Sequence, residues 1–163
     1  MEEKLYGDKA RVEIERKYLV KGDDWKSSSD SVFVRQGFLS LDKNCTVRVR
    51  SVEGTGVITV KGPTKGISRA EFEYEIPVDE AEEMLGSLCA GSVIEKRRYR
   101  IPQGDLVWEV DEFFGDNQGL IMAEVELNSE DQAVDIPSWI GEEVSEDVRY
   151  FNSYLATNPY KDW

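Results

Sequence analysis

The stretch Arg11-Val12-Glu13-Ile14-Glu15-Arg16-Lys17 alternates charged and apolar side chains over most of its length. Successive side chains of a β-strand point to opposite faces, so residues two apart share a face. Glu13, Glu15 and Lys17 therefore share one face, and the apolar residues between them lie on the other. The pattern predicts a strand over Val12–Val20 that has one strongly charged face.

The same period of two recurs along most of the chain. Further strands are predicted over Val32–Leu41, Thr46–Val52, Gly56–Gly62, Arg69–Ile76, Val93–Ile101, Asp105–Phe113 and Leu120–Leu127. Together with the first strand this makes about eight strands, separated by glycine-, asparagine- and proline-containing turns. Such spacing predicts an antiparallel sheet that is either closed into a barrel or folded as a sandwich.

Three segments change to helical spacing. The first has Asp79 as its predicted N-cap, Glu82 as the capping-box partner and Gly91 at its C-terminal end. A second, short helix is predicted over residues 129–136, because Ser129 opens it and a proline follows. A last helix is predicted to start near residue 145.

The composition excludes several kinds of protein. A length of 163 residues suits one domain, which we place over residues 1–163 with a core from about 11 to 158. The absence of histidine excludes a Ser-His-Asp triad, a Cys-His pair and a His-ligated zinc site. A formal net charge of −13 argues against a general binder of nucleic acid or of anionic membranes, although a local basic cavity remains compatible with it.

The chain carries no targeting or membrane signal. No stretch approaches the roughly 20 apolar residues of a membrane helix, and the first four residues are too charged for a signal peptide. Cys45 and Cys89 stand alone without a CxxC motif, and we expect both to be reduced. These features predict a cytoplasmic protein.

Like charges occur in pairs two residues apart on the predicted strands. The pairs are Glu13/Glu15, Arg48/Arg50, Glu71/Glu73, Lys96/Arg98, Glu109/Asp111 and Glu124/Glu126. A single strand of this kind is typical of any sheet with one solvated face, but same-sign neighbours repel and are unusual on a surface built for stability. Carboxylate pairs suit hard divalent cations, and arginine or lysine pairs suit phosphate oxygens. If these faces point inward, the sheet encloses a cavity for a metal-bound polyphosphate.

Several short motifs occur in the order typical of one family. They are Glu13-Ile14-Glu15-Arg16-Lys17, Arg35-Gln36-Gly37, Thr46-Val47-Arg48-Val49-Arg50, the Lys61 strand, Ser68-Arg69-x-Glu71-x-Glu73, Glu95-Lys96-x-Arg98-Tyr99, Glu124-Val125-Glu126 and the run from Glu142 to Tyr150. With these motifs the chain resembles the CYTH superfamily, or triphosphate tunnel metalloenzymes, from about Val12 to Pro159. The resemblance implies an α+β protein, namely a closed eight-stranded antiparallel β-barrel with a few flanking helices. Its polar lumen would bind a triphosphate together with Mg²⁺ or Mn²⁺.

The resemblance also implies a role for individual residues. The implied metal ligands are Glu13, Glu15, Glu124 and Glu126, with Asp111 as a further one. The implied phosphate-binding residues are Lys17, Arg48, Arg50, Lys61, Lys96 and Arg98, with Arg149 on a C-terminal helix that closes over the tunnel. The implied catalytic groups are Glu71 and Glu73, which position bases or metal-bound water, and Lys17.

One position departs from the family pattern. The residue after Arg-Gln-Gly is commonly a tyrosine in the similar bacterial proteins, where it is a candidate proton acceptor. In this chain it is Phe38, which has no hydroxyl. The substitution leaves the predicted binding residues intact and bears mainly on the mechanism.

The leading functional hypothesis is metal-dependent hydrolysis of a triphosphate, with inorganic triphosphate as the favoured small-molecule substrate. Without histidine, a carboxylate or a metal hydroxide must act as general base, which predicts an alkaline optimum. The alternatives are cyclisation of ATP to cyclic AMP, hydrolysis of thiamine triphosphate, and a polyphosphate- or nucleotide-binding module without turnover. We expect no nucleic-acid or membrane partner, and homodimers among similar proteins make a homodimer the expected assembly.

Overall fold

The structure is a computed structural model that describes residues 12–28 and 30–163. Arg11, predicted on the charged face of the first strand, lies outside these residues. The strands are β1 (Val12–Val20), β2 (Asp30–Asp42), β3 (Cys45–Val52), β4 (Thr55–Lys61), β5 (Ser68–Ile76), β6 (Ala90–Gln103), β7 (Leu106–Phe113), β8 (Ile121–Glu126) and β9 (Ile140–Glu143). The α-helices of the described residues are α1 (Val78–Ser87) and α2 (Asn152–Leu155). Short 3-10 turns cover Asp24–Ser28, Gly115–Asn117, Val148–Tyr150 and Tyr160–Asp162.

Eight of these strands form a closed barrel. Their order around the sheet is β5-β4-β3-β2-β6-β7-β8-β1, and every pairing is antiparallel. The barrel closes because residues 12–14 of β1 pair with residues 68–70 of β5. This closure confirms the predicted eight-stranded barrel and excludes the sandwich. The short β9 is an addition that pairs with β1 beyond its contact with β5.

The β3–β4 hairpin shows how local sequence sets the strand register. Its two-residue turn, Glu53-Gly54, has positive φ at both positions, 46° and 85°. That geometry is a type I′ turn, which matches the twist of two paired strands and favours glycine. The turn pairs Val52 with Thr55 and so brings Arg48 opposite Thr59.

Two hydrophobic clusters pack against the outside of the barrel. Helix α1 buries Ala81 and Leu85 over Val49 of β3. On another side, Trp108 of β7 is fully buried among Tyr18 and its neighbours, under the chain between β8 and β9. The outward positions beneath these two clusters are therefore apolar, and the charged positions that alternate with them face the lumen.

The start of helix α1 differs from the prediction. Pro77, not Asp79, is the N-cap, and no side chain caps the helix. Proline is favoured at a helix start because its φ is already fixed near the helical value. Glu82 forms an ion pair with Arg35 instead of closing a capping box. Gly91 does not end the helix either, because the helix stops at Ser87.

The helix predicted over residues 129–136 does not form. The chain between β8 and β9 is irregular, and it covers the sheet with Val134 and Trp139. The indole of Trp139 meets that of Trp108 edge-on, with centroids 5.8 Å apart. The apolar side chains of this segment are thus buried against the outer face of the barrel. An irregular segment can bury them there without helical spacing.

The last predicted helix is broken into two short pieces. The Asp147 carboxylate accepts a hydrogen bond from the Arg149 backbone, which starts the Val148–Tyr150 turn. Phe151 then has extended dihedral angles, and the helix α2 begins only after it. No helix within residues 12–28 and 30–163 is long and apolar enough to cross a membrane.

Candidate active site

The lumen of the barrel holds a cavity of about 550 Å³. Closing the barrel turns one face of every strand inward, so the charged alternate positions meet across the cavity. The predicted site residues that line it are Glu13, Glu15, Lys17, Arg48, Arg50, Lys61, Glu71, Glu73, Arg98, Glu124 and Glu126. Period-two alternation placed these side chains on one face of their strands, and the family resemblance implied their roles.

Lys61 holds two carboxylates on one side of the cavity. Its Nζ lies 2.8 Å from Glu13 Oε2 and 3.2 Å from Glu71 Oε2. Burial would raise the pKa of Glu13, but the Lys61 charge and a hydrogen bond with Glu71 outweigh it and hold that pKa well below its ordinary value. Burial and the proximity of Glu13 raise the pKa of Glu71 to about 8. The contact between the two carboxyl groups thus favours the charged form of Glu13 and the neutral form of Glu71.

A second group of carboxylates lies where β1 meets β8. The Nζ of Lys17 is 3.6 Å from Glu124 Oε1, and Glu15 stands opposite Glu126 in the ladder. Burial, followed by the charges of Glu124 and Glu13, raises the pKa of Glu15 well above its ordinary value. Carboxylates that repel one another in this way would be stabilised by a bound cation.

Arg50 and Glu73 form a third pair. The Arg50 guanidinium donates to Glu73 Oε2 at 2.9 Å, and the Thr59 hydroxyl donates to the same oxygen at 3.0 Å. Burial would raise the pKa of Glu73, but Arg50 and the Thr59 hydroxyl lower it below the ordinary value. Burial and the charges of Arg48 and Arg98 lower the pKa of Arg50 to about 10. Glu73 is thus an ionised and oriented carboxylate at the cavity surface.

Lys96 and Asp111 do not line the cavity as predicted. Each is only 1% exposed, and Lys96 Nζ donates to Asp111 Oδ2 at 2.8 Å and to Asn152 Oδ1 at 3.0 Å. Arg98 donates to both Asp111 oxygens at 2.8 Å. In this structure both carboxylate oxygens are therefore engaged by Lys96 and Arg98, and Asp111 as a metal ligand stays a prediction. Asp111 orients Arg98, which does reach the cavity.

Arg149 also lies outside the cavity. It belongs to the Val148–Tyr150 turn, its side chain is 54% exposed, and its guanidinium binds the neighbouring carboxylate of Asp147 at 2.7 Å. The predicted helix that would have carried it over the tunnel is broken before Phe151. The structure thus gives Arg149 no contact with the lumen.

Several lining residues were absent from the predicted set. They are Thr46, Arg69, Arg100, Glu109, Ser145, Phe151 and Asn152, among others. Arg69, Arg100 and Glu109 extend the charged faces of their strands, so alternation could have found them. Ser145 lies in the chain after β9, and Asn152 begins the short helix α2. The helical spacing predicted there did not mark either residue as part of the site.

An apolar plug fills one end of the lumen. Its buried residues are Phe38, Ile94, Phe113, Leu120, Met122, Leu155 and Ala156. Phe38 both belongs to the plug and lines the cavity. The position that carries a tyrosine hydroxyl in similar proteins therefore offers only an apolar ring here.

The donor set of the cavity suits a hard divalent cation. Glu13, Glu15, Glu124 and Glu126 offer carboxylate oxygens, which Mg²⁺ and Mn²⁺ prefer. In the part of the chain that the structure describes, no three acidic or cysteine side chains are placed to hold a metal ion as they stand. Lys61 and Lys17 bind two of these carboxylates, so a cation would have to displace those ion pairs.

The lumen of this closed antiparallel barrel interleaves cations with carboxylates. Such a lumen is typical of a class of protein that encloses a small polyanion. The chain belongs to the CYTH domain family, whose model matches residues 11–156.

Two relatives and one solved structure share most of the chain. The inorganic triphosphatase of Acetivibrio thermocellus is 52% identical over 151 residues, which cover 93% of this chain and 97% of the relative. The inorganic triphosphatase of Nitrosomonas europaea is 40% identical over 150 residues, covering 89% and 97%. The crystal structure of an inorganic triphosphatase superposes with a TM-score of 0.65 at 36% identity and covers 88% of this chain and 93% of that chain.

Proposed function

We propose that this protein hydrolyses inorganic triphosphate to pyrophosphate and orthophosphate. The observation that carries the proposal is the enclosed lumen, in which Lys17, Arg48, Arg50, Lys61 and Arg98 face a cavity of about 550 Å³. A cavity with this many inward cations suits the oxygens of a phosphate chain. The two relatives named inorganic triphosphatase, at 52% and 40% identity, support the same substrate.

The inward arginines and lysines would bind the phosphate oxygens. Guanidinium groups bind phosphate in bidentate fashion, and lysine ammonium groups add point charges. In the reaction a water oxygen bonds to a terminal phosphorus, the bond from that phosphorus to the bridging oxygen breaks, and pyrophosphate leaves. The cations neutralise the charge that develops on the leaving oxygen.

Carboxylates would divide the remaining work. Glu13, Glu15, Glu124 and Glu126 would hold a divalent cation, which supplies charge neutralisation and lowers the pKa of bound water. Glu73, fixed by Arg50 and Thr59, would orient the attacking water and accept its proton. Glu71 and Lys17 would support this arrangement through their ion pairs with neighbouring residues. Phe38 has no hydroxyl and cannot take this proton.

The test measures orthophosphate release from inorganic triphosphate with Mg²⁺ and then with Mn²⁺. We expect wild type to turn over, and Glu13→Gln/Glu15→Gln to lose at least about 100-fold in rate, because several kcal/mol of charge stabilisation depend on the cation. Glu80→Gln/Glu83→Gln, which makes the same charge change on the exposed face of α1, should keep the wild-type rate.

ATP and thiamine triphosphate serve as competing substrates in the same assay. Release from inorganic triphosphate alone supports the proposal. No release from any of the three, combined with a rise in melting temperature on adding triphosphate, would contradict it and favour a binding module or the cyclisation of ATP.

A further inference from the structure

Among the residues that the structure describes, two guanidinium groups in the tunnel have only a threonine hydroxyl as hydrogen-bond partner. The Nη2 of Arg48 is 3.3 Å from Thr59 Oγ1, and the Nη2 of Arg69 is 3.5 Å from Thr46 Oγ1. The Nε of each arginine is buried and has no hydrogen-bond partner. Within residues 12–28 and 30–163, neither guanidinium lies within 4.0 Å of a carboxylate oxygen.

The other cations that line the buried part of the tunnel are already neutralised. Lys61 pairs with Glu13, Arg50 with Glu73, and Lys17 with a carboxylate of β8. A phosphate that approaches these residues must first compete with an existing ion pair. At Arg48 and Arg69 it meets guanidinium N–H groups whose hydrogen-bonding capacity is unfilled, and leaving buried donors unpaired is costly.

Arg69 was not among the residues to which the resemblance assigned a role. It faces Glu13 across the seam where β1 and β5 close the barrel, and it lines the cavity. The Nη2 of Arg69 reaches Thr46, which lies two residues before Arg48 on the same face of β3, so the two like-charged guanidiniums lie near one another and repel. Burial lowers the pKa of Arg69, and the charges of Glu13, Glu15 and Glu71 oppose that lowering more than the charge of Arg48 adds to it. A phosphate group between them would relieve this repulsion and fill the free N–H positions.

We propose that Arg69 is a further substrate-binding residue, and that together with Arg48 it forms a phosphate subsite that is open before the divalent cation binds. This inference rests on the proposed function, because it assigns part of the same site. It implies that inorganic triphosphate binds measurably to the metal-free protein. The ion-paired cations then exchange their carboxylates for phosphate oxygens when the divalent cation binds.

A different role for Arg69 would be to hold the neighbouring carboxylates in place. The two roles predict different results for Arg69→Gln. Loss of a phosphate-binding group weakens triphosphate binding even without metal. Loss of a group that only positions Glu13 and Glu15 changes the binding of Mn²⁺ and leaves the metal-free binding of triphosphate as it was.

The experiment titrates inorganic triphosphate calorimetrically into protein in EDTA, for wild type, Arg69→Gln, Arg69→Lys and Arg97→Gln. Arg97 is the control because it faces outward on β6 and likewise donates to a hydroxyl, that of Ser31 at 3.2 Å. We expect the metal-free Kd to rise at least about tenfold in Arg69→Gln, to be partly restored in Arg69→Lys, and to stay unchanged in Arg97→Gln.

Steady-state kinetics and melting curves complete the test. In Arg69→Gln we expect KM to rise more than kcat falls, and the Mn²⁺-induced shift in melting temperature to remain. The inference alone would be overturned if Arg69→Gln bound triphosphate in EDTA as tightly as wild type does. It would also be overturned if wild type hydrolysed triphosphate but did not bind it without metal. Failure of wild type both to bind and to hydrolyse triphosphate would overturn the proposed function with it.

Discussion

Asp111 and Glu71 are carboxyl groups of the same barrel, yet their pKa values move in opposite directions. Burial raises the pKa of Glu71 to about 8, because a second carboxylate lies beside it. Burial would also raise the pKa of Asp111, but the charges of Arg98 and Lys96 outweigh it and hold that pKa below its ordinary value. The partners of a buried acid therefore decide its charge, and sequence position alone does not.

Removing the charge of Asp111 should destabilise the barrel strongly. Asp111→Asn leaves Lys96 buried without its counter-charge, and breaking a buried pair in this way costs about 3–5 kcal/mol. Urea unfolding at pH 7 measures the loss. Glu112→Gln, on the outward face of the same strand and paired with the partly exposed Lys26, should cost less than about 1 kcal/mol. Equal losses in the two variants would contradict the buried pair.

The contribution of Asp111 should also depend on pH. Its pKa is lower in the folded than in the unfolded state, so the stability it contributes is present above the unfolded value of about 3.9 and is lost as pH falls below that value. The difference in unfolding free energy between wild type and Asp111→Asn should therefore narrow between pH 7 and pH 3. A difference that stays constant over this range would show that the carboxylate charge is not what stabilises the fold.

Helix α1 illustrates packing at the scale of an element. It lies on β3 and β4 because Gly56 leaves room for it. A Cβ at Gly56 would lie 2.8 Å from the Ile76 carbonyl oxygen and 2.9 Å from the Ala81 Cβ. Gly86, within the helix, has open space where a Cβ would be. A side chain is therefore excluded by close packing at Gly56, whereas there is room for one at Gly86.

Alanine at these two positions should have opposite effects on stability. Gly56→Ala should lower the free energy of unfolding by at least about 1 kcal/mol, because backbone and helix must move apart. Gly86→Ala should raise it by about 0.5–1 kcal/mol, since alanine restricts the unfolded chain and fits the helix. Chemical denaturation of both variants checks this, and a stable Gly56→Ala protein would mean that α1 is held less closely than the structure indicates.

At the scale of the whole molecule, the charge balance inside the lumen differs from the net charge of the chain. The protein carries −13 overall, but cations and carboxylates alternate around the cavity and largely pair with one another. In the proposed function a metal would take the carboxylates and a triphosphate would take the cations. Each ligand therefore frees partners for the other, which is a positive coupling between two binding events.

This coupling should appear in thermal denaturation. Melting curves are recorded with Mn²⁺ alone, with a non-hydrolysable imido analogue of triphosphate alone, and with both. The shift with both ligands should exceed the sum of the separate shifts, because a ligand stabilises in proportion to its affinity for the folded state. Strictly additive shifts in melting temperature would mean that the two ligands bind without breaking the ion pairs across the lumen.

The barrel and most of the charged residues that line it could be predicted from the sequence, and the reason is geometric. A strand has a side-chain period of two, so Glu13 and Glu15, or Arg48 and Arg50, must share a face wherever the strand lies. Segments without such a period were predicted less well. The helix expected over residues 129–136 is an irregular segment that covers the sheet. The helix expected from near residue 145 is broken, and its second piece begins at Asn152, which lines the site.

The sequence by itself thus determined the strands, their charged faces and the resemblance that implied a triphosphate. Only the tertiary structure decided which of these charged residues have no ion-pair partner and can contact a ligand. Lys96 and Asp111 have the same alternation as the lining residues, yet they neutralise one another below the surface. Arg69, to which no role had been assigned, faces the cavity and forms no ion pair with a carboxylate of the described residues. The physical reason is that strand period sets the direction of a side chain, whereas its ionic partners come from strands distant in sequence.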